Sequence, residues 1–176
     1  MTLAVIKGQA DDARGTFGNV SALWVVLPFL AATRPRTLWR SVVAALAVTE
    51  LSLLGFYVAE AAVLDLGPHP WYVDLQLTAG GFNVYQRWGL ASGVLYGVLG
   101  YVWRTRRSPL AAAGVGAAFL AEPILVFLLS REHIWGGNGY FRYPWLWIGE
   151  LVVGCVLVAA AVAVTRDVLP APPDQG

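Results

Sequence analysis

Carboxylates inside apolar stretches are the residues of this sequence best suited to chemistry. Glu50 and Glu60 lie within an apolar stretch that runs from Thr37 to Leu66. An ionisable group at the depth of the hydrocarbon core costs several kcal/mol, so it normally faces a protein interior or a water-filled cavity. At about 100° per residue, Glu50, Tyr57 and Glu60 fall within one sector of roughly 80° on a helix. This polar stripe predicts a site on that helix.

Two further glutamates, Glu122 and Glu150, lie in other apolar stretches. Counted at about 1.5 Å per residue from the arginine-rich turns of the chain, Glu50 falls near mid-depth, and the other three fall toward the opposite side of the membrane. No Lys or Arg lies deep within these stretches to pair with them. Carboxylates without such a partner are protonated or are held by a cation, a cationic ligand or hydrogen-bond donors. Three helices therefore present carboxylates toward one side, which predicts an outward-facing cavity for a cation, a proton or a small polar solute.

A structural interpretation of the same glutamates stays open. Each carboxyl group then forms hydrogen bonds with Tyr, Trp or backbone groups and locks the packing of the helices. Under the binding interpretation, aromatic residues near the helix ends complete the site, whereas the deeper Glu50 is a weaker member. The predicted ligand-binding residues are Glu60, Glu122, Glu150, Tyr57, Trp71, Tyr85, Trp135 and Tyr140.

No metal-site spacing or catalytic motif accompanies these carboxylates. His69 with Asp74, and Glu132 with His133, are isolated pairs of possible ligands without an HExxH-type spacing. No GxSxG motif, phosphate-binding glycine loop or Ser/His/Asp order occurs. The sequence therefore predicts no catalytic residue, no metal and no cofactor. A membrane enzyme is kept only as a third hypothesis.

The composition is that of a polytopic membrane protein. Of the 176 residues, 57% are hydrophobic and 13% are charged, against about 25% charged residues in soluble domains. A net charge of +1 gives no indication of nucleic-acid binding. We expect an all-α bundle of about five transmembrane helices over residues 1–166, followed by a disordered tail at 167–176.

The apolar stretches predict the order of the helices. They cover about residues 20–33, 37–66, 88–103, 109–130 and 144–165, and a span needs roughly 20 apolar residues. The first stretch is short and contains Pro28, which disturbs a helix. Residues 67–87 are predicted as a long aromatic loop, which either anchors the protein at the membrane interface or covers a ligand.

Glycine recurs at every fourth residue of the third predicted helix, at Gly89, Gly93 and Gly97. Small residues on one face let helices approach closely. The spacing predicts a close helix contact, with a backbone wall beside a ligand as the alternative. The same face is the candidate surface for a protein partner or a homo-oligomer. A structural or assembly protein that acts through helix contacts, without a small ligand, is therefore the alternative to the binding hypothesis.

Basic residues predict the orientation of the chain in a plasma membrane. One side carries Arg34, Arg36, Arg40, Arg104, Arg106, Arg107 and Arg166. The other side carries Lys7, Arg14, Arg87, Arg131 and Arg142. Because basic residues in short loops favour the cytoplasm, we expect the arginine-rich turns and the C terminus in the cytoplasm. The aromatic loops then face outward.

Short apolar motifs spread over most of the chain carry a resemblance to a protein family. They are KGQ and RGTFGNVSALWVVLPFLA within Lys7–Ala31, GFYVAEA at Gly55–Ala61, the arginine-rich turn after Trp103, FLAEP at Phe119–Pro123, and WIGELVVG at Trp147–Gly154. Together they resemble a family of small actinobacterial integral membrane proteins of unassigned function. The resemblance implies a six-helix plan whose first helix is represented here by Met1–Ile6. It supplies no catalytic residues.

Two characterised groups share parts of this plan. Tryptophan-rich sensory proteins have five helices and many tryptophans, and this chain has eight, but their proline- and tryptophan-rich signature is not matched here. The substrate-binding subunits of energy-coupling-factor transporters are six-helix proteins with an outward pocket. That likeness concerns architecture alone, which is weak evidence for a function.

Overall fold

The computed structural model describes residues 22–63, 71–131 and 142–166, without the side chains of residues 60–63, 71, 74–84, 129–131 and 165–166. Within these residues the chain forms five α-helices and no strand. They are α1 (Leu23–Ala32), α2 (Leu38–Val63), α3 (Trp71–Arg106), α4 (Pro109–Arg131) and α5 (Pro144–Arg166). The predicted all-α class is confirmed for this part of the chain.

Three of the helices are long and apolar enough to cross a membrane. The candidate spans are Leu38–Ala59 in α2, Pro109–Leu128 in α4 and Pro144–Val164 in α5. Their 20 to 22 residues correspond to roughly 30 Å of helix, which is the thickness of the hydrocarbon core. By the same criteria α1, with 10 residues, is too short. The structure is thus compatible with a membrane location, while the predicted total of five spans stays a prediction.

The predicted loop at 67–87 is wrong from Trp71 onward, because α3 begins there and continues for 36 residues. The loop was predicted because residues 67–87 lie between two long apolar stretches, but a less apolar segment does not by itself interrupt a helix. Proline does, and no proline occurs between Pro70 and Pro109. At about 1.5 Å per residue, α3 measures roughly 54 Å and is longer than the hydrocarbon core.

Helices α2 and α3 form the first of two closely packed pairs. A Cβ atom added to Gly97 would lie 2.7 Å from the Val42 Cα atom, and one added to Gly93 would lie 2.9 Å from Leu46 Cδ2. Gly89 also faces α2. The close contact predicted from the glycine spacing is therefore present within the chain. A partner protein or a second copy would have to displace α2 to use this face.

Helices α4 and α5 form the second pair, through two glycines that face each other. A Cβ atom on Gly116 would lie 2.8 Å from the carbonyl oxygen of Gly154, and one on Gly154 would lie 3.0 Å from the carbonyl oxygen of Gly116. Backbones that approach this closely leave no room for a side chain at either position.

Helix α1 connects the two pairs, since it packs against α2, α3 and α4. Phe29 of α1 lies in a buried apolar cluster with Tyr96 of α3, Phe119 of α4 and Leu146 of α5. The hydroxyl group of Tyr96 also donates a hydrogen bond of 3.3 Å to the carbonyl oxygen of Gly114. The main core of the bundle therefore lies around α1.

Two alanine substitutions test the contact between α2 and α3. Gly97→Ala is expected to lower the free energy of unfolding by about 1–3 kcal/mol, because the new methyl group meets the backbone of α2. Gly55→Ala is the matched control on α2, since no atom lies within 4 Å of its added Cβ. That variant is expected to be neutral or slightly stabilising, because alanine is the better helix former. Thermal unfolding in detergent measures both, and equal midpoints would contradict the described contact.

Candidate functional site

A predicted site carboxylate supports the N-terminal end of α1. The backbone N–H of Ala22 donates a hydrogen bond of 2.5 Å to Glu122 Oε2, and Ala22 and Glu122 are both buried. Ala22 is the N-cap residue of α1 and provides no side-chain cap. The first N–H groups of a helix lack acceptors within the helix and carry its positive dipole end. Glu122 therefore supplies an acceptor for the backbone N–H of the N-cap residue itself.

The sequence of α4 carries Glu122 into the core. Phe119 and Val126, three residues before it and four residues after it, are both buried in the main apolar cluster. Because residues three and four apart share a face of a helix, this apolar face turns Glu122 inward with its neighbours. The next residue is Pro123, which lies inside the helix. Proline has no N–H, so the carbonyl group of Phe119 lacks its usual helical donor.

A cavity of about 230 Å³ lies next to this contact. Its described walls come from three helices, and Glu150 is the only charged residue among the described lining residues. Only 5% of the surface of Glu150 is exposed. The lining residues are Leu23 of α1, Phe119 of α4, and Trp145, Leu146, Gly149, Glu150 and Val153 of α5.

The position of Glu150 follows from the packing of α5 on α4. Glu150 lies one turn after Leu146, and both side chains are buried. The cavity residue Leu23 directly follows Ala22, and the cavity residue Phe119 lies one turn before Glu122. The carboxylates of α4 and α5 are thus carried by neighbouring elements around the first turn of α1.

The predicted aromatic residues Tyr57 and Tyr85 form a separate cluster on the α2–α3 side of the bundle. Their ring centroids lie 6.4 Å apart. Tyr57 also meets Phe56 at 5.7 Å, and Phe56 meets Trp24 of α1 at 5.2 Å in an edge-to-face arrangement. Trp24 follows Leu23 in the sequence, so the first turn of α1 contacts both this cluster and the cavity. Tyr57 is buried and Tyr85 is exposed.

Glu50 lies elsewhere, between α2 and α3. Its Oε1 atom is buried and has no hydrogen-bond partner among the described residues. The same atom is 3.6 Å from the position of a Cβ atom on Gly89. Glu50 therefore faces the glycine contact and does not line the cavity.

The remaining predicted site residues lie outside the side chains that the structure describes. Their predicted roles stay predictions. They are Glu60, Trp71, Trp135 and Tyr140.

The cavity walls were not predicted from the sequence, whereas a hydrogen bond between a glutamate and a backbone group was the structural alternative, which Glu122 fits with Ala22 as the donor. Leu23, Phe119 and Leu146 resemble any other apolar residue of a membrane helix, so no pattern distinguishes them.

No group of three or more metal-ligating side chains occurs among the described residues. The described cysteine, Cys155, is exposed. The histidines of the two predicted ligand pairs, His69 and His133, lie outside the described residues.

Comparison of the chain with protein-family models, with curated proteins and with solved structures finds no match. The resemblance to small actinobacterial membrane proteins therefore stays a prediction. The proposal for a function therefore rests on the cavity and the carboxylates of the bundle.

Two substitutions of Glu122 test its role at the end of α1. Glu122→Leu removes the acceptor and leaves the buried Ala22 N–H without it, which is expected to cost about 1–3 kcal/mol of stability. Glu122→Gln keeps an acceptor oxygen of the same reach, so we expect a smaller loss. Thermal unfolding in detergent compares the two variants with the wild type. A leucine variant as stable as the glutamine variant would show that this hydrogen bond contributes nothing.

Proposed function

We propose that this protein is an integral membrane protein that binds a small organic cation in the cavity between α1, α4 and α5, as a binding or transport component. The observation that carries this proposal is the position of Glu150, a buried carboxylate in the wall of an otherwise apolar cavity. In these apolar surroundings a cationic group would be attracted to the Glu150 carboxylate more strongly than in water. Ligand sites in proteins commonly combine apolar walls with a few polar groups that orient the ligand.

The character of the walls favours an organic cation over a polar solute. A polar solute needs several hydrogen-bonding side chains, whereas Glu150 is the only charged side chain among the lining residues that the structure describes. Phe119 and Trp145 supply aromatic rings, which suit both an apolar body and a cation. The volume of about 230 Å³ is below the roughly 300–1,000 Å³ of sites for drug-sized molecules. The proposed ligand is therefore a small amine that carries an apolar group.

In this proposal Glu122 positions the site and does not touch the ligand. Its hydrogen bond to Ala22 holds the first turn of α1, and the next residue, Leu23, forms part of the cavity wall. Of the carboxylates predicted as ligand contacts, we therefore assign that role to Glu150.

The proposed orientation in the plasma membrane places the arginine-rich turns and the C terminus in the cytoplasm. The N-terminal end of α5 then faces outward. Glu150 is the seventh residue of α5, roughly 9 Å along the helix axis from Pro144. An amine from the outer side would thus reach Glu150 without crossing the membrane.

A structural membrane protein without a small ligand is the second candidate. The bond between Glu122 and Ala22 favours it, because one of the predicted ligand carboxylates serves helix packing. The facing glycines of α4 and α5 also favour the structural candidate, since they form a helix contact within the chain.

Native mass spectrometry with a charged and a neutral probe of the same shape tests the proposal. The wild type is expected to retain phenethylamine in its protonated form and not the neutral analogue 2-phenylethanol. Glu150→Gln is expected to weaken binding of the amine by about tenfold or more, because a charge-assisted hydrogen bond contributes about 1.5–3 kcal/mol. Glu50→Gln is the matched control and is expected to bind like the wild type, since Glu50 lies outside the cavity.

Equal binding of the amine to the wild type and to Glu150→Gln would overturn the assignment of Glu150. Equal retention of the amine and the alcohol would show that the cavity selects for apolar shape and not for charge. Absence of both probes from all three proteins would favour the structural candidate.

A further inference from the structure

The structure joins the two arginine-rich turns at one end of the bundle. Nη1 of Arg104, near the end of α3, donates a hydrogen bond of 3.1 Å to the carbonyl oxygen of Thr33 and a second one to that of Arg34. Thr33 is the C-cap residue of α1. Arg104 therefore places its charge at the negative end of the α1 dipole and ties the turn after α1 to the turn after α3.

The arginines around this connection are exposed. No Asp or Glu occurs in residues 13–49 or 75–121, so neither turn contains a carboxylate that would neutralise them. The result is a concentrated positive surface. Its exposed arginines are Arg34, Arg36, Arg40, Arg106 and Arg107.

Arg107 occupies a backbone conformation that favours glycine. Its φ angle is 49°, and its N–H donates a hydrogen bond of 2.9 Å to the carbonyl oxygen of Trp103. This is the left-handed ending of a helix, where glycine is the usual residue. A residue with a side chain costs roughly 1–2 kcal/mol there. An arginine at this position points to a use for its side chain, as strained residues often do.

Tryptophans accompany the arginines at the same end. The guanidinium carbon of Arg40 lies 5.3 Å from the ring centroid of Trp39, and that of Arg107 lies 5.8 Å from the centroid of Trp103. Trp39 is 62% exposed. Tryptophan is enriched at the level of the lipid headgroups, and Trp39 is the second residue of the candidate span Leu38–Ala59.

We propose that Arg36, Arg40, Arg106 and Arg107 form a binding surface for the phosphate of an anionic phospholipid headgroup. Guanidinium groups bind phosphate through paired hydrogen bonds, and basic pockets between membrane helices bind anionic headgroups. We assign the phosphate to a lipid because the surface lies at the start of two candidate spans, at Leu38 and Pro109. This inference is independent of the proposed cation site.

Native mass spectrometry of the full chain in detergent, titrated with phosphatidylglycerol or phosphatidylcholine, tests the surface. The wild type is expected to bind phosphatidylglycerol at least about tenfold more tightly, since each arginine near an anionic surface contributes roughly fivefold. The double variant Arg36→Gln/Arg106→Gln is expected to lose most of this preference. The matched control Arg87→Gln/Arg142→Gln removes two exposed arginines toward the other end of the bundle and is expected to keep it.

Arg107 provides a second test, which separates lipid binding from a structural role. Arg107→Gly is expected to raise the thermal midpoint, because glycine adopts this conformation without strain, and at the same time to weaken binding of phosphatidylglycerol. Arg107→Lys keeps the charge and is expected to keep most of the binding. A glycine variant that gains stability and binds the lipid like the wild type would overturn the role of Arg107.

Three other outcomes would overturn the proposal. The first is equal binding of both lipids by the wild type. The second is an equal loss in the control variant, which would show a general effect of charge. The third is displacement of phosphatidylglycerol by an equal concentration of inorganic phosphate, which would assign the surface to free phosphate.

Discussion

The structure depends on hydrogen bonds to the backbone groups at both ends of the short helix α1, which lies inside an apolar bundle. An unpaired backbone N–H in such surroundings costs several kcal/mol, and at ten residues α1 is too short to cross the membrane by itself. Glu122 of α4 accepts a hydrogen bond from the Ala22 N–H at one end. Arg104 of α3 donates to the carbonyl oxygens that follow the other end. Both charges have the sign that complements the helix dipole, so α1 is held by side chains from two different helices.

This arrangement connects the two helix pairs. The α2–α3 and α4–α5 pairs are each held by glycines that bring backbones or side chains into close contact, and α1 packs between them. Leu23 contributes to the cavity and Trp24 contacts Phe56, so the first turn of α1 takes part in both halves of the bundle. A substitution at Glu122 is therefore expected to displace Leu23 in the cavity wall, even though the proposed ligand contact is Glu150.

The buried carboxylates differ in role because their surroundings differ. Glu122 meets a backbone donor, Glu150 borders a cavity, and Glu50 faces the glycine contact between α2 and α3. The residue type is the same in all three, so it does not distinguish them. The proposed binding role belongs to the one that has space beside it. The arginine surface at the opposite end is separate, and its proposed function depends on the position of the membrane surface.

The sequence by itself determined the helical class and the positions of α2, α4 and α5, which follow from long apolar stretches bounded by proline, glycine or arginine. It also identified the close helix contact at Gly89, Gly93 and Gly97, because a four-residue spacing is a local property. The beginning of α3 was missed, since residues 71–87 lie outside the long apolar stretches although no proline interrupts the helix there. Only the tertiary structure decided that Glu122 supports α1 and that Arg104 joins the two arginine-rich turns. These contacts link residues 100 and about 70 positions apart, and their formation depends on how the helices pack and not on any local pattern.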